Sequence, residues 1–270
     1  MTKLGLPVPP GFVVSIDAYA DYKGRGRLPT EEIDSALEWL ENETGKKLGS
    51  GLSVSVRSSA AVSMPGMMDT VLNIKDKASM MSAVKKIFNS WDNLRAVEYR
   101  RLNRIPADIG TAAVIQAMVM GNKDKRSGTG VIFTRNPSTG EPGLFGEYMG
   151  QAQGEDLVSG TKTPGPVEDL RSAMPKIYTE LEEATRTLET YFQDMQDVEF
   201  TVESGKLYIL QTRSGKRSGQ AAVRIAVDMV NEGLITREEA IMRVKPEELK
   251  ALLHKRIKSP EQHHVLAHGL

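Results

Sequence analysis

The stretch DVEFTVESGKLYILQTR, residues 197–213, decides how this chain reads. Val198, Phe200 and Val202 alternate with Asp197, Glu199 and Thr201, which is the period of a strand with one buried face. A second alternating run, Leu207, Ile209, Gln211 and Arg213, follows Ser204-Gly205, so the pair reads as an antiparallel hairpin. Its turn settles which side chains share a face. A two-residue turn at Ser204-Gly205 pairs Glu203 with Lys206 and puts Glu199 and Gln211 on opposite faces. A three-residue turn, Glu203-Ser204-Gly205, pairs Val202 with Lys206 and asks only Gly205 to take positive φ. We expect the three-residue form. It gathers Asp197, Glu199, Gln211 and Arg213 on one face, with Leu207 and Ile209 beside them. Val198, Phe200, Val202, Tyr208 and Leu210 then lie on the buried face.

In that register Glu199 and Gln211 are diagonal neighbours, roughly 7–8 Å apart at the backbone. One carboxylate and one amide oxygen suit Mg²⁺, which takes hard oxygen ligands and leaves other positions to water and phosphate. Arg213 alongside suits a phosphate through its planar fork. An amphipathic hairpin with a merely wet polar face gives the same alternation.

Outward from the hairpin, LPVPPGFVVS (6–15) reads as a proline-rich loop entering a strand. Residues 30–44 read as a helix with Thr30 as N-cap and Glu31 and Glu32 in its first turn. LSVSVR (52–57) alternates as a strand that ends on Arg57, and 58–69 reads as a loop. Met81, Val84, Ile87, Phe88 and Trp91 give helical spacing within 78–103. AAVIQAMVM (112–120) and GVIFT (130–134) read as strands around the polar turn GNKDKRSGTG. Residues 170–195 and 218–257 read as helices, the latter with a capping box at Thr236 and Glu239.

The 270 residues include 35 basic and 35 acidic side chains, a formal net charge of zero. That balance offers no bulk attraction to nucleic acid or to a membrane surface. There is no cysteine, which excludes disulfides, thiolate nucleophiles and cysteine-held metals. No apolar run reaches the length of a membrane span and the first residues lack a signal peptide's apolar core, so we expect a cytoplasmic protein.

Seven motifs in order, LGLPVPPGF (4–12), SVRSSAAVSMPGMMDT (55–70), NSWDNLRAVEYRRLNRIP (89–106), SGTGVIFTRNPSTGEPGLFGEY (127–148), AQGEDLVSGTKTP (152–164), DMQDVEFTVESGKLYILQTRSGKR (194–217) and GLITREEAIMRV (233–244), resemble the nucleotide-binding domain of pyruvate phosphate dikinase. Phosphoenolpyruvate synthase and rifampin phosphotransferase share its fold with looser motifs. The resemblance implies an α+β, ATP-grasp fold whose two lobes hold ATP in a cleft between them, followed by a helical C-terminal tail. We expect one lobe over 1–107, a second over 108–217 carrying the hairpin, a helical segment over 218–258 and a linker over 259–270.

The family transfers a pyrophosphoryl group from Mg·ATP to a histidine on a separate domain; phosphate takes one phosphoryl group and pyruvate the other. Its expected partners here are ATP and those phosphohistidine and pyruvate-binding domains, in cis or in trans, with a homodimer formed through C-terminal parts. Carried over by motif, Arg57 and Arg213 act on the phosphates, Asp197, Glu199, Gln211 and Arg213 form the metal and phosphate set, with Glu199 and Gln211 the Mg²⁺ ligands. Thr129 and Gly130 sit in a glycine loop that covers the phosphates with bare N–H groups. Arg135, Glu147 and Glu155 are weaker candidates, each with a structural role as the plain alternative. Met64, Met67 and Met68 read as packing beside the cleft. The four histidines, His254, His263, His264 and His268, do not match the family's phosphohistidine motif and read as solvated.

The chain departs from the family at four points. The Gly-Gly-Lys-Gly segment expected just ahead of residue 4 would fall before Met1, so either the true start lies upstream or this form lacks that lysine's charge; a helical insertion expected after SMPGMMDT is missing, Ala61 stands where dikinases usually carry a second arginine, and the family's phosphohistidine domain is expected beyond Leu270. A synthase or antibiotic phosphotransferase module, and a non-catalytic nucleotide-binding remnant, are the competing readings.

Overall fold

The computed structural model describes residues 1–159, 163–246, 249 and 252. The first half of the chain contains β1 (Gly11–Val14), α1 (Ile16–Arg25), α2 (Thr30–Thr44), the short β2 (Lys47–Leu48) and β3 (Gly51–Leu52), β4 (Val54–Ser59) and β5 (Thr70–Ile74). Then come α3 (Lys77–Ser90), α4 (Leu94–Leu102), β6 (Ala112–Ala117), β7 (Gly128–Arg135), β8 (Pro142–Gly150) and α5 (Gly154–Ser159). The remainder holds β9 (Gly165–Pro166), α6 (Asp169–Ala173), α7 (Pro175–Phe192), β10 (Gln196–Glu203), β11 (Lys206–Ser214), α8 (Gly219–Asn231) and α9 (Arg237–Arg243). One sheet has the order β1-β6-β4-β5 and another the order β11-β10-β7-β8-β9. Helices and sheets of this kind make an α+β chain.

Contacts divide the chain into two compact units. The first comprises Met1–Gly130, Tyr148–Pro164 and Glu199–Arg213; the second comprises Val131–Glu147, Gly165–Val198 and Ser214–Leu270. The expected boundaries at 107/108 and 217/218 coincide with no edge of either unit. The expected linker over 259–270 and the four histidines lie outside the described residues.

In the first unit, β4 is central. It pairs antiparallel with β6 on one side and β5 on the other, with Arg57 opposite Val114 and Thr70. Val54 and Val56 point into the core and are fully buried, as is Ile115 of β6. Against them pack Ile33, Leu37 and Leu40 of α2 and Met80, Val84, Ile87 and Phe88 of α3. Those spacings of three, four and seven are one face of a helix. Thr30 is the first helical residue and not the N-cap; Pro29 takes that place and the Thr30 hydroxyl donates to Leu28 O instead.

The helix expected over 78–103 is two helices. Trp91 ends the first: it is buried, its indole N–H donates to Ala107 O at 3.0 Å, and three successive i→i+3 backbone bonds tighten Phe88–Asn93. Arg100 of α4 then folds back, its guanidinium 4.0 Å over the Trp91 ring and its Nη1 donating to Trp91 O at 2.6 Å. A straight helix would carry the indole away from Ala107 and leave the Arg100 cation without this cover.

In the second unit, α6 and α7 replace the single helix expected from 170. Met174 precedes Pro175 and is held at φ −144°, ψ 74°, outside the α region that a following proline disfavours. Pro175 then opens α7, where its missing N–H costs nothing. Met195 packs with Ala221, Ile225 and Met229 of α8 and with Ile235. The capping box at Thr236 and Glu239 forms in both directions.

Arg135 belongs to this unit as a structural residue. It is 1% exposed. Its Nε and Nη2 each meet a Glu189 oxygen at 2.9 Å, and its Nη1 and Nη2 reach the Glu232 carboxylate at 3.1 and 2.6 Å. Thr134 Oγ1 donates to Glu189 as well, at 2.7 Å. The two carboxylates hold the guanidinium above its ordinary pKa against the opposing pull of burial. Truncating one member of such a cluster strands the others. Arg135→Leu should therefore lower the unfolding free energy by about 3 kcal/mol, whereas Glu232→Gln, at a side chain 40% exposed, should cost under about 1 kcal/mol. Urea titrations of both variants check the difference; equal midpoints would contradict it.

Candidate functional site

The alternation along β4 that buries Val54 and Val56 turns Ser55 and Arg57 to its other face. Ser55 is buried, with its hydroxyl 3.4 Å from Gln116 O; Arg57, nearer the strand's end, stays partly open. Its Nη1 lies 3.7 Å from Glu199 Oε2, with the two side chains 22% and 34% exposed. That distance is an ion pair and too long for a hydrogen bond. Burial draws the Arg57 guanidinium below its ordinary value, and the neighbouring Glu199 charge works in the other direction. An arginine stays protonated under such a shift.

The hairpin differs from the expected one at its turn. β10 ends at Glu203 and β11 begins at Lys206, so only Ser204 and Gly205 form the loop. Both have positive φ, 51° and 79°, the signature of a type I′ turn. Glu203 then faces Lys206, Val202 faces Leu207, Thr201 faces Tyr208 and Phe200 faces Ile209. Burial agrees: Phe200, Val202, Leu207 and Ile209 are all at or below 2% exposure. Leu207 and Ile209 therefore lie on the apolar face, not on the polar face expected for them. The same alternation places Glu199 opposite Leu210, one position away from Gln211 along β11. Glu199 and Gln211 fall on opposite faces, and the shared-face argument for a joint metal site fails.

The physical reason is the partner of Ser204. A non-glycine residue at positive φ costs about 1–2 kcal/mol, which the three-residue form avoids. Here Ser204 N–H donates to Ser127 Oγ at 2.9 Å, its hydroxyl donates to Asp124 Oδ2 at 2.6 Å, and Gly205 N–H donates to Arg126 O at 2.8 Å. Those bonds offset the strain. The Ser204 and Ser127 hydroxyls, with the Arg126 backbone N–H, hold the Asp124 carboxyl below its usual value against a smaller effect of burial. The polar turn between β6 and β7 thus anchors the hairpin tip, a role not read from the sequence.

Thr129 and Gly130 are not in a loop. They lie in β7 and are buried. Thr129 Oγ1 donates to Phe200 O at 3.0 Å and sits 3.1 Å from Thr201 Oγ1, so the hydroxyl ties β7 to β10 next to Glu199. Gly128 is small because a Cβ there would meet Tyr148 Oη at 2.3 Å. The Tyr148 ring in turn lies nearly parallel to Phe200, 6.3 Å between centroids. Gly128 serves close packing, and the backbone of Thr129 and Gly130, expected to cradle phosphate, lies inside a strand.

Of the other expected residues, Gln211 is exposed and Arg213 half-buried on β11, and Asp197 lies buried on β10 in the second unit. The structure thus brings Arg57 to Glu199, and Thr129 to the strand bearing Glu199. Met64 is buried, as expected of a packing residue. Among the described residues no three histidine, aspartate or glutamate side chains converge as a ready-made metal cage, and no helix is long and apolar enough to cross a membrane.

A family model described as the pyruvate phosphate dikinase AMP/ATP-binding domain matches residues 24–174 and 167–234. The pyruvate, phosphate dikinase of Clostridium symbiosum is 40% identical over an alignment of 350 residues that takes in 94% of this chain and 40% of the relative. That of Rickettsia typhi is 38% identical over 370 residues, covering all of this chain and 42% of the relative. The chain therefore spans about two fifths of the length of these relatives. Among solved structures, D-alanyl-alanine synthetase A from Vibrio cholerae aligns with a TM-score of 0.43 and 11% identity, over 94% of this chain and 62% of that one.

Two outcomes follow from the hairpin's anchors. Thr129→Val removes a buried hydroxyl and leaves Thr201 without its partner, so stability should fall by about 1–3 kcal/mol in chemical denaturation. Glu203 accepts from Met120 N–H at 2.9 Å and from Lys123 Nζ at 2.5 Å. Burial pushes its carboxyl up, but the Lys123 and Met120 bonds prevail and hold it below its ordinary 4.5. Its contribution is complete above the unfolded-state pKa and is lost as pH falls through the lower folded value. Glu203→Gln should thus destabilise the protein at neutral pH and converge on wild type in acid; a constant difference across that range would contradict the anchor.

Proposed function

Since the chain belongs to the AMP/ATP-binding domain family of pyruvate phosphate dikinase, we propose that it is the ATP-grasp module of a dikinase, binding Mg·ATP and passing a pyrophosphoryl group to a histidine on a separate domain. The acceptor nitrogen forms a bond to the β-phosphorus, the bond from that phosphorus to the α–β bridging oxygen breaks, and AMP leaves with the electron pair. The acceptor's later exchanges with phosphate and pyruvate belong to other domains of the same reading.

The observation that carries this is the Arg57–Glu199 pair. It sets one cation and one anion side by side, both partly open and neither saturated by hydrogen bonds to the other. Arg57 would face the polyphosphate, where its fork can take two oxygens and offset the charge that builds as the bond to AMP breaks. Glu199 would hold Mg²⁺. The donor set fits that ion: Mg²⁺ is commonly bound through one or two carboxylates plus substrate phosphates, not by an all-protein cage. When bound, the ion supplies charge neutralisation between the phosphate oxygens. Thr129 would act on neither; it keeps β10 in place beneath Glu199. Gln211 as a second ligand rests on the family resemblance alone, since the turn removes the geometric support for it. Arg213 and Asp197 are carried over on the same footing.

Calorimetry with Mg·ATP tests the reading. Wild type should bind, and Arg57→Met should lose about 1.5–3 kcal/mol of affinity, the worth of one charge-assisted contact, with its denaturation midpoint retained. A chain that binds no Mg·ATP, or an Arg57→Met variant that binds as wild type does, would overturn the assignment. Incubation with ATP labelled in the β-phosphoryl group should leave no acid-labile label on this chain, because the acceptor histidine lies on another domain.

A further inference from the structure

Resting on the nucleotide reading above, we propose that the Arg57–Glu199 pair forces nucleotide and divalent cation to bind as one unit, because each half-loaded state sets a charge against the residue meant for the other ligand. The two side chains are 3.7 Å apart and partly open to solvent. Polyphosphate arriving alone must approach the guanidinium beside the Glu199 carboxylate, and like charges at such separations repel appreciably even in a wet site. A divalent cation arriving alone at Glu199 meets the guanidinium in the same way. In both cases the newcomer also competes with the existing ion pair for its own partner. With both ligands present the charges alternate, carboxylate to cation to phosphate to guanidinium, and nothing is left opposed.

The pair therefore does more than supply two contacts. While the site is empty it neutralises itself, which spares Arg57 an uncompensated cation at a position 22% exposed. A ligand carrying both signs splits it at the least cost, and one carrying a single sign binds more weakly. Coupling of this kind is reciprocal: the factor by which the cation tightens the nucleotide is the factor by which the nucleotide tightens the cation.

The distinguishing outcome is a gain of affinity on removing a site residue. Binding of ATP in EDTA, of ATP with Mg²⁺, and of Mn²⁺ alone would be measured by calorimetry on the full chain. Wild type should bind ATP in EDTA at least about tenfold more weakly than with Mg²⁺. Glu199→Gln should bind ATP in EDTA about tenfold more tightly than wild type does and lose most of its response to Mg²⁺. Arg57→Met should bind Mn²⁺ alone more tightly than wild type. Glu199→Asp, which keeps the charge, should keep the coupling. Neither gain can come from misfolding. If neither variant gains its free ligand while wild type still binds Mg·ATP, the coupling is refuted and the nucleotide site stands. If wild type binds no Mg·ATP, both readings fall together.

Discussion

The two-residue turn at Ser204-Gly205 fixes the side that every hairpin residue takes, and the rest of the candidate site depends on it. Because side chains alternate strictly along a strand, one residue more in the loop would shift β11 against β10 by a step and exchange its two faces. Phe200 and Val202 would then oppose Tyr208 and Lys206 in place of Ile209 and Leu207, which are buried with them. The turn is kept short by bonds from outside the hairpin. Asp124, Arg126 and Ser127 take up Ser204 and Gly205, and Glu203 is taken up by Met120 and Lys123. Register in this hairpin is therefore a tertiary property, set by a turn some eighty positions earlier in the chain.

Two arginines show how the same side chain is put to different uses. Arg135 makes four bonds to two carboxylates and is sealed at 1% exposure; with its donors engaged it can take no ligand. Arg57 meets one carboxylate at 3.7 Å and keeps part of its surface open. Saturation marks a structural cation, while partial neutralisation beside an opening marks one that can exchange its partner. Neither distinction is visible in the motifs FTRNP and SVRSS, where both residues stand next to a β-rich run.

What could be read from the sequence was what local pattern encodes. The hairpin, the strand ending near Arg57, the two-way capping box at Thr236 and the helix over 30–44 follow from periodicity and from neighbouring residues in the chain. What could not be read was whatever depends on distant partners. Helix α3 stops because Trp91 finds Ala107 O, which no helical count anticipates. Strand β8 carries no legible strand period, because Pro142, Gly143, Gly146 and Gly150 blur its alternation. The Ser-Gly-Thr-Gly run looked like a phosphate loop because glycine also serves close packing, here against Tyr148. Resemblance to the family singles out Arg57 and Glu199, but the contact between them is a property of the fold.

The same independence of parts bears on the relatives. Alignment with the Clostridium symbiosum protein runs over 350 residues, while this chain has 270, so the relative carries at least 80 aligned residues with no counterpart here. Yet every bond described around Glu199 is made within this chain. Strand β4 is held by β5 and β6, its Arg57 reaches Glu199, Thr129 ties down the backbone at Phe200, and the turn at 124–127 holds the hairpin tip. Whatever the additional residues do in the relative, they are not needed to set this cation against this carboxylate. Loops and insertions can be lost from such a fold at little cost when the charges that matter stand on strands whose neighbours are all retained.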